Sequence, residues 1–301
     1  MTSQEDKKNT PDFECAAYTA MSPAWNVLAD VLAGQDTIKA KTIEYLPKEA
    51  AEHDDAYSRR LKRSLFFEDY RDCVVNLTGM VFRKSPTLGD DVPDYLKQLA
   101  ENVDNAGTHF DVFLQRVFED GFYGHSFIVV DLPAKSADVR TAADELGNRS
   151  YWCMRQAKDA VNFRPLVMKG KTEIGQISFK ECNKEPDGRF GEKEVTRYRV
   201  YFLDEAGNAQ WELWREMEKE TSSGKKEVIL EDSGPILTKK GKALKRLPIA
   251  VHYGEHEGFL ESRPPLKGIA DINNDGGINI SDASYLLGHK FLGGPPPPAP
   301  P

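Results

Sequence analysis

Near the end of the chain, the stretch "DINNDGGINISD" sets oxygen-bearing side chains at fixed intervals: Asp271, Asn273, Asp275, Asn279 and Asp282. Counted from Asp271 as position 1, they fall at positions 1, 3, 5, 9 and 12, and Gly277 falls at 7, where a calcium loop uses a backbone carbonyl. Gly276 stands at the position where such a loop must turn sharply, and Ile278 supplies a small apolar anchor. Three carboxylates and two amides suit a hard, oxygen-seeking cation, so these residues are read as ligands for Ca2+. Asp282 is shorter than the glutamate usual at the last position, which leaves the affinity open.

Two other stretches have the residue types of catalysis but not the context. "HYGEH", His252 to His256, has the spacing of an inverted zinc-protease motif, which needs a helix to bring both histidines onto one face. It follows the strand-like "LPIAV" and contains Gly254, so a structural surface role is expected. "GHSFI" places Ser126 after His125 in the manner of a nucleophile elbow, yet Ile128 stands where the second glycine belongs, and a helix precedes where a strand should. Phosphate-cradling glycine loops, paired-cysteine zinc spacings and dinucleotide fingerprints are absent from the sequence. No catalytic residue is nominated, and the chain is not expected to be an enzyme.

The elements that would carry these residues follow from composition and periodicity. At 301 residues, with 40% hydrophobic and 29% charged, the chain can bury a core without disulfides or metal. Cys15, Cys73, Cys153 and Cys182 follow no metal or redox spacing and read as ordinary thiols. A net charge of -8 argues against a basic groove gripping nucleic acid through its phosphates, although a channel wall past which DNA slides gains from weak contact. The basic runs "RRLKR" (59–63) and "KKGKALKR" (239–246) are read as solvated faces. No apolar run is long enough to cross a membrane, and the amino terminus has no signal-like apolar core, so cytoplasmic synthesis is expected.

"SPAWNVLADVLAG" predicts a short helix, with Ser22 as cap, Pro23 in first position and Gly34 closing it. "DAYSRRLKRSLFFEDYRDCVVNLTGMVF" predicts the longest amphipathic helix, with Tyr57, Leu61, Leu65, Tyr70, Cys73, Leu77 and Val81 as its stripe and Pro86 as its end. Helices are also predicted in "VPDYLKQLAENV" and "THFDVFLQRVFED", the second with Thr108 and Asp111 as a capping box and Phe110, Phe113, Leu114, Val117 and Phe118 as its apolar face. After "HSFIVVDLP" the period shifts to strands: "EIGQISFKEC", "EVTRYRVYFL", "AQWELWREME", "KKEVILED" and "LPIAVHYG", separated by turns such as "EPDGRFG" and "DEAGN". Helices first and mostly antiparallel strands after them indicate an α+β fold. "GGPPPPAPP" ends the chain as an extended polyproline tail.

Five stretches, in order, carry a resemblance: "AGQDTIKAKTIEYLPK", "RRLKRSLFFEDYRDCVVNLTGMVFRKSP", "VDNAGTHFDVFLQRV", "EPDGRFGEKEVTRYRVYFL" and "RPPLKGIADIN". Residues 20 to 272 resemble the portal proteins of tailed bacteriophages. The resemblance implies a homo-oligomeric ring at one capsid vertex, through which a separate terminase drives DNA without sequence-specific contact, and to which capsid and tail proteins attach. It implies no active site, and further helices beyond "RPPLKGIADIN", so the portal-like part is expected to be truncated. The location implied is the virion or the host cytoplasm.

"ADINNDGGINISDASYLLGHKFLGG" is similar to one half of a type I dockerin, an EF-hand-like calcium module that docks onto cohesin in extracellular polysaccharide-degrading assemblies. That resemblance assigns calcium to Asp271, Asn273, Asp275, Gly277, Asn279 and Asp282, and gives Ala283, Leu286, Leu287 and Phe291 as the apolar face of the following helix. Dockerins carry two such repeats and this chain has one. The two resemblances overlap at Ala270 to Asn273, where a fusion, or a join made in assembling the sequence, is expected. The organisation expected is a loose segment (1–19), a portal-like domain (20–268), a calcium loop and helix (269–293) and a proline-rich tail (294–301). The alternative is an extracellular dockerin-bearing protein working through cohesin.

Titration calorimetry tests the loop directly: the full chain should release or absorb heat with Ca2+, and the double variant Asp271→Ala, Asp275→Ala should not. Equal heats from both proteins would remove the metal assignment.

Overall fold

The strand that organises the molecule comes from "HSFIVVD", a run with too few polar residues to face water on either side. In the computed structural model, which describes residues 8–131, 149–168, 170–218, 226–238 and 241–267, this strand is β1 (His125–Asp131). It is the centre of a three-stranded antiparallel sheet, between β2 (Tyr151–Gln156) and β8 (Ile249–Tyr253). A second antiparallel sheet is a simple meander of β3 (Ala160–Met168), β4 (Lys171–Asp187), β5 (Gly191–Leu203), β6 (Ala209–Glu218) and β7 (Lys226–Pro235). A short pair, β9 (His256–Gly258) and β10 (Glu261–Ser262), follows β8. The fold is α+β, helices first. β2 and β3 fall within the strand-rich region read from the sequence but were not separately recognisable in it.

Phe127 and Val129 of β1 point into the space between the two sheets, where they join Ile177 and Phe179 of β4 and Tyr201 of β5. Ile128, on the opposite face, packs with Val103, Phe113 and Val117 under the helices. The last two belong to α6 (Phe110–Asp120), preceded by α5 (Asp94–Glu101). Thr108 and Asp111 do not form the expected capping box. His109 takes the cap position and its Nδ1 lies 2.6 Å from the Asp111 carboxylate, while the backbone N–H of Thr108 donates to Asp104.

Two helix boundaries differ from the sequence reading. α1 spans Ala16–Ala33, beginning well before Ser22, with Pro23 inside it. Proline leaves the Thr19 carbonyl without a donor, and the Ser22 hydroxyl, 3.5 Å from that carbonyl, takes the place. Gly34 closes α1 as expected, with φ of 88°, and α2 (Gln35–Ala40) follows at once. The long amphipathic stretch is not one helix but two, α3 (Asp54–Arg63) and α4 (Asp69–Val81), ending before Pro86. Gln35 causes the break: its side-chain oxygen accepts from the Phe66 backbone N–H at 3.2 Å, and its own N–H donates to Glu68 at 3.4 Å. A tertiary partner thus captures residues whose local periodicity would have continued a helix.

Within the amino-terminal segment expected to be loose, residues 11–15 are tied to the second sheet. The Cys15 N–H donates to the Val161 carbonyl, the Asn162 side chain to the Phe13 carbonyl and the Ser178 hydroxyl to the Pro11 carbonyl. Among the described residues, no helix is long and apolar enough to cross a membrane.

The turn from α6 into β1 depends on Gly124. Its φ is 119°, and a Cβ there would lie 2.4 Å from the Ser262 hydroxyl. Gly124→Ala should therefore lower unfolding stability by about 2 to 4 kcal/mol, combining backbone strain and overpacking. Gly207→Ala, at φ of 71° with open space around the added carbon, should lose only about 1 kcal/mol. Urea unfolding of the two variants separates these cases, and equal losses would show that the Ser262 contact does not matter.

Candidate assembly surface

Asp271, Asn273, Asp275, Gly277, Asn279 and Asp282 all lie outside the described residues, as do the following apolar positions and the proline tail. Among the described residues no group of histidine, cysteine, aspartate and glutamate is arranged to hold a metal ion. "HYGEH" is not helical: His252 is on β8 and His256 on β9. The His252 ring is half-buried against Phe118, His256 stands edge-on to Tyr253, and Glu255 pairs with Arg263 at 2.5 Å.

The serine of "GHSFI" donates its hydroxyl to the Val117 carbonyl of α6 at 3.0 Å, which pins strand to helix. Its neighbour His125 meets a different serine, with Nδ1 2.6 Å from the Ser262 hydroxyl. A histidine–serine pair of this kind could activate a nucleophile, but both residues are buried, and Nε2 has no hydrogen-bond partner. Trp25 packs edge-on against the ring. Burial lowers the His125 pKa to about 4, so the ring is neutral and acts as a core aromatic.

Asp120, at the end of α6, is another buried ionisable group near β1. Burial raises its pKa to about 6, against the lowering effect of the Gln156 amide, which donates to Oδ1 at 2.9 Å; nearby Asp159 adds to the rise. Among the described residues Oδ2 has no hydrogen-bond partner. The group lies beside Gln156 and Asp159.

What the described residues offer instead is surface. On α4, Tyr70, Val74 and Thr78 turn inward, and the Tyr70 hydroxyl donates to the Phe122 carbonyl at 3.1 Å. Around the rest of the helix apolar side chains are also exposed: Val75 (59%) and Met80 (73%) flank the buried stripe on either side, and Leu77 and Val81 lie along its margin, while Asp69, Asp72 and Asn76 occupy the side opposite it. From Cys73 to Phe82 no residue carries a charge. Leu65, Leu77 and Val81, expected on the buried stripe, are exposed. The basic run beside this helix is partly neutralised, since Arg60 grips Glu52 at 2.9 and 2.7 Å.

Two further features lie on the strands. The β4–β5 hairpin is paired from Gln176 opposite Phe202 out to Asp187 opposite Gly191, and reaches beyond the last pairs made with β3 and β6. At its tip Phe190 is 87% exposed, with the Arg189 guanidinium 4.9 Å from the ring centre. A groove of about 880 Å³ lies where the start of β4 approaches β1 and β8, lined by Trp152, Ile174, Val251 and Phe259 among others. Its charged members Glu173 and Arg246 are 3.4 Å apart. Sequence reasoning passed over all three features. The uncharged run on α4 was the available signal, because it holds more apolar residues than one buried helix face needs.

Two of the buried titratable groups, Asp120 and His125, oppose one another in pH. Asp120 binds a proton more readily folded than unfolded, so its contribution to stability is lost as pH rises from about 4 to 6. His125 binds its proton less readily folded, so its contribution is gained from about pH 4 to 6.5. Asp120→Asn removes the first slope alone: its stability relative to the parent should increase by about 2 to 3 kcal/mol between pH 4 and 7, in urea unfolding at each pH. A pH-independent difference would place the Asp120 carboxyl in water. No known protein family matches the chain, and no curated protein does.

Proposed function

We propose that the chain is a structural subunit of a ring of the portal type, which works by its geometry and surfaces rather than by catalysis. The observation that carries this reading is the exposed apolar side chains around α4, Val75, Leu77, Met80 and Val81, in a run without charge. Apolar surface of this kind left in water is unfavourable for a single chain and is what a self-assembling subunit needs. It lies inside "RRLKRSLFFEDYRDCVVNLTGMVFRKSP", one of the stretches on which the portal resemblance rests. The net charge of -8 suits a wall past which DNA slides.

In this reading DNA passes through the ring without sequence-specific contact, a terminase supplies the force, and capsid and tail proteins bind its two ends. The Ca2+ loop from Asp271 to Asp282 is an appended half-module that orders the segment after it. Its ligand spacing favours a second reading, in which calcium-dependent docking to a cohesin in a polysaccharide-degrading assembly is the main task.

Negative-stain microscopy and mass photometry of the full chain should reveal closed rings. The double variant Val75→Asp, Met80→Asp, at exposed positions that leave the core intact, should remain monomeric. A parent protein that stays monomeric at high concentration would refute assembly, and a variant that still forms rings would clear α4 of any part in it.

A further inference from the structure

We infer that the β4–β5 hairpin tip of one copy docks into the groove at the start of β4 of the next, as a head-to-tail contact between identical chains. The contact rests on the reading of this protein as a self-assembling subunit, and names two surfaces that the apolar surface of α4 does not include.

Three observations lead to it. First, the tip presents a knob: Phe190, 87% exposed, held beside Arg189 on a three-residue loop. The arm beneath is stiffened by ion pairs across its strands, Lys184 with Glu192 at 3.2 Å and Glu185 with Arg197 at 2.5 Å and with Arg215 at 2.9 Å. An aromatic anchor on a pre-organised arm loses little freedom on docking.

Second, the groove is a receptacle of matching chemistry. The groove is shallow and open to solvent along one side, and at about 880 Å³ it has room for an aromatic side chain. Trp152, Ile174, Val251 and Phe259 offer apolar walls. Glu173 is bound only by the largely exposed Arg246 among the described residues, and so can accept a second cation. Arg189 makes no ion pair among the described residues and travels with Phe190, so knob and groove match in both apolarity and charge.

Third, the two surfaces cannot meet within one chain. Glu173 and Asp187 both belong to β4, near its opposite ends, about 45 Å apart at roughly 3.3 Å per residue. A knob at one end and its receptacle at the other form a heterologous interface, which closes into a ring when the rotation between copies allows. Around the tip Glu185, Asp187, Glu192 and Glu194 outnumber Lys184, Arg189 and Lys193, so the arm has no net positive charge to draw it to an anionic membrane.

The test uses the full chain with Phe190→Asp at the knob and Ala250→Trp, an exposed residue lining the groove. Sedimentation velocity over a concentration series should show half-assembly of each variant shifted upward at least tenfold. An equimolar mixture should contain pairs that neither variant forms alone, since one keeps an intact groove and the other an intact knob. Variants that assemble at the parent's concentration, or a mixture that behaves as two separate variants, would overturn the contact while leaving a ring built through α4. A parent that never assembles would overturn contact and ring together. Binding of the parent but not Phe190→Asp to phosphatidylserine vesicles, with assembly unchanged, would assign the tip to a membrane and overturn the contact as well.

Discussion

The burial of β1 on both faces is the constraint around which the rest of the molecule is arranged. Phe127, fully buried, meets Phe179 of the second sheet edge-on at 5.2 Å, while Ile128 and Ser126 face α6. A strand in that position cannot satisfy its backbone with water, so β2 and β8 must pair with both of its edges. Helices cover one side and the five-stranded meander the other. Gly124 must make the turn into the strand, because any side chain there would strike Ser262.

The polar groups beside this strand serve the same joint. Ser126 ties it to α6, and His125 ties it to Ser262 of β10. On the meander side, Glu181 of β4 is buried between Arg155 of β2 and Arg199 of β5, so one carboxylate links the two sheets. An Arg–Glu–Arg group of this kind adds little net stability over an apolar substitute, since the buried carboxylate and the two half-buried guanidinium groups must be desolvated. It does require the sheets to meet in one register, because a shifted strand would leave a charge unpaired in the interior.

With its ionisable groups committed to the interior joint, the protein has its distinctive chemistry on the outside. Apolar residues on α4, an aromatic knob on a long hairpin and an apolar groove point away from the core in three places. Among the described residues the His125–Ser262 pair is closed off by Trp25 and its own burial.

Local pattern was enough to determine much of this. The α+β order, the apolar face of α6, the hairpin turns at Gly188 and Gly207 and the end of α1 at Gly34 all follow from nearest-neighbour chemistry, and each appears where the sequence places it. The calcium spacing from Asp271 to Asp282 is likewise a property of the sequence alone. What depended on distant partners could not be read in advance. Gln35 breaks the long amphipathic stretch from thirty-odd residues away, at Phe66 and Glu68. Leu77 and Val81 stand at helical spacing from the buried Tyr70, Val74 and Thr78, yet both are exposed, Val81 as the last residue of α4. Periodicity states that a helix has an apolar face; only tertiary packing determines which apolar residues are buried and which are left for a partner.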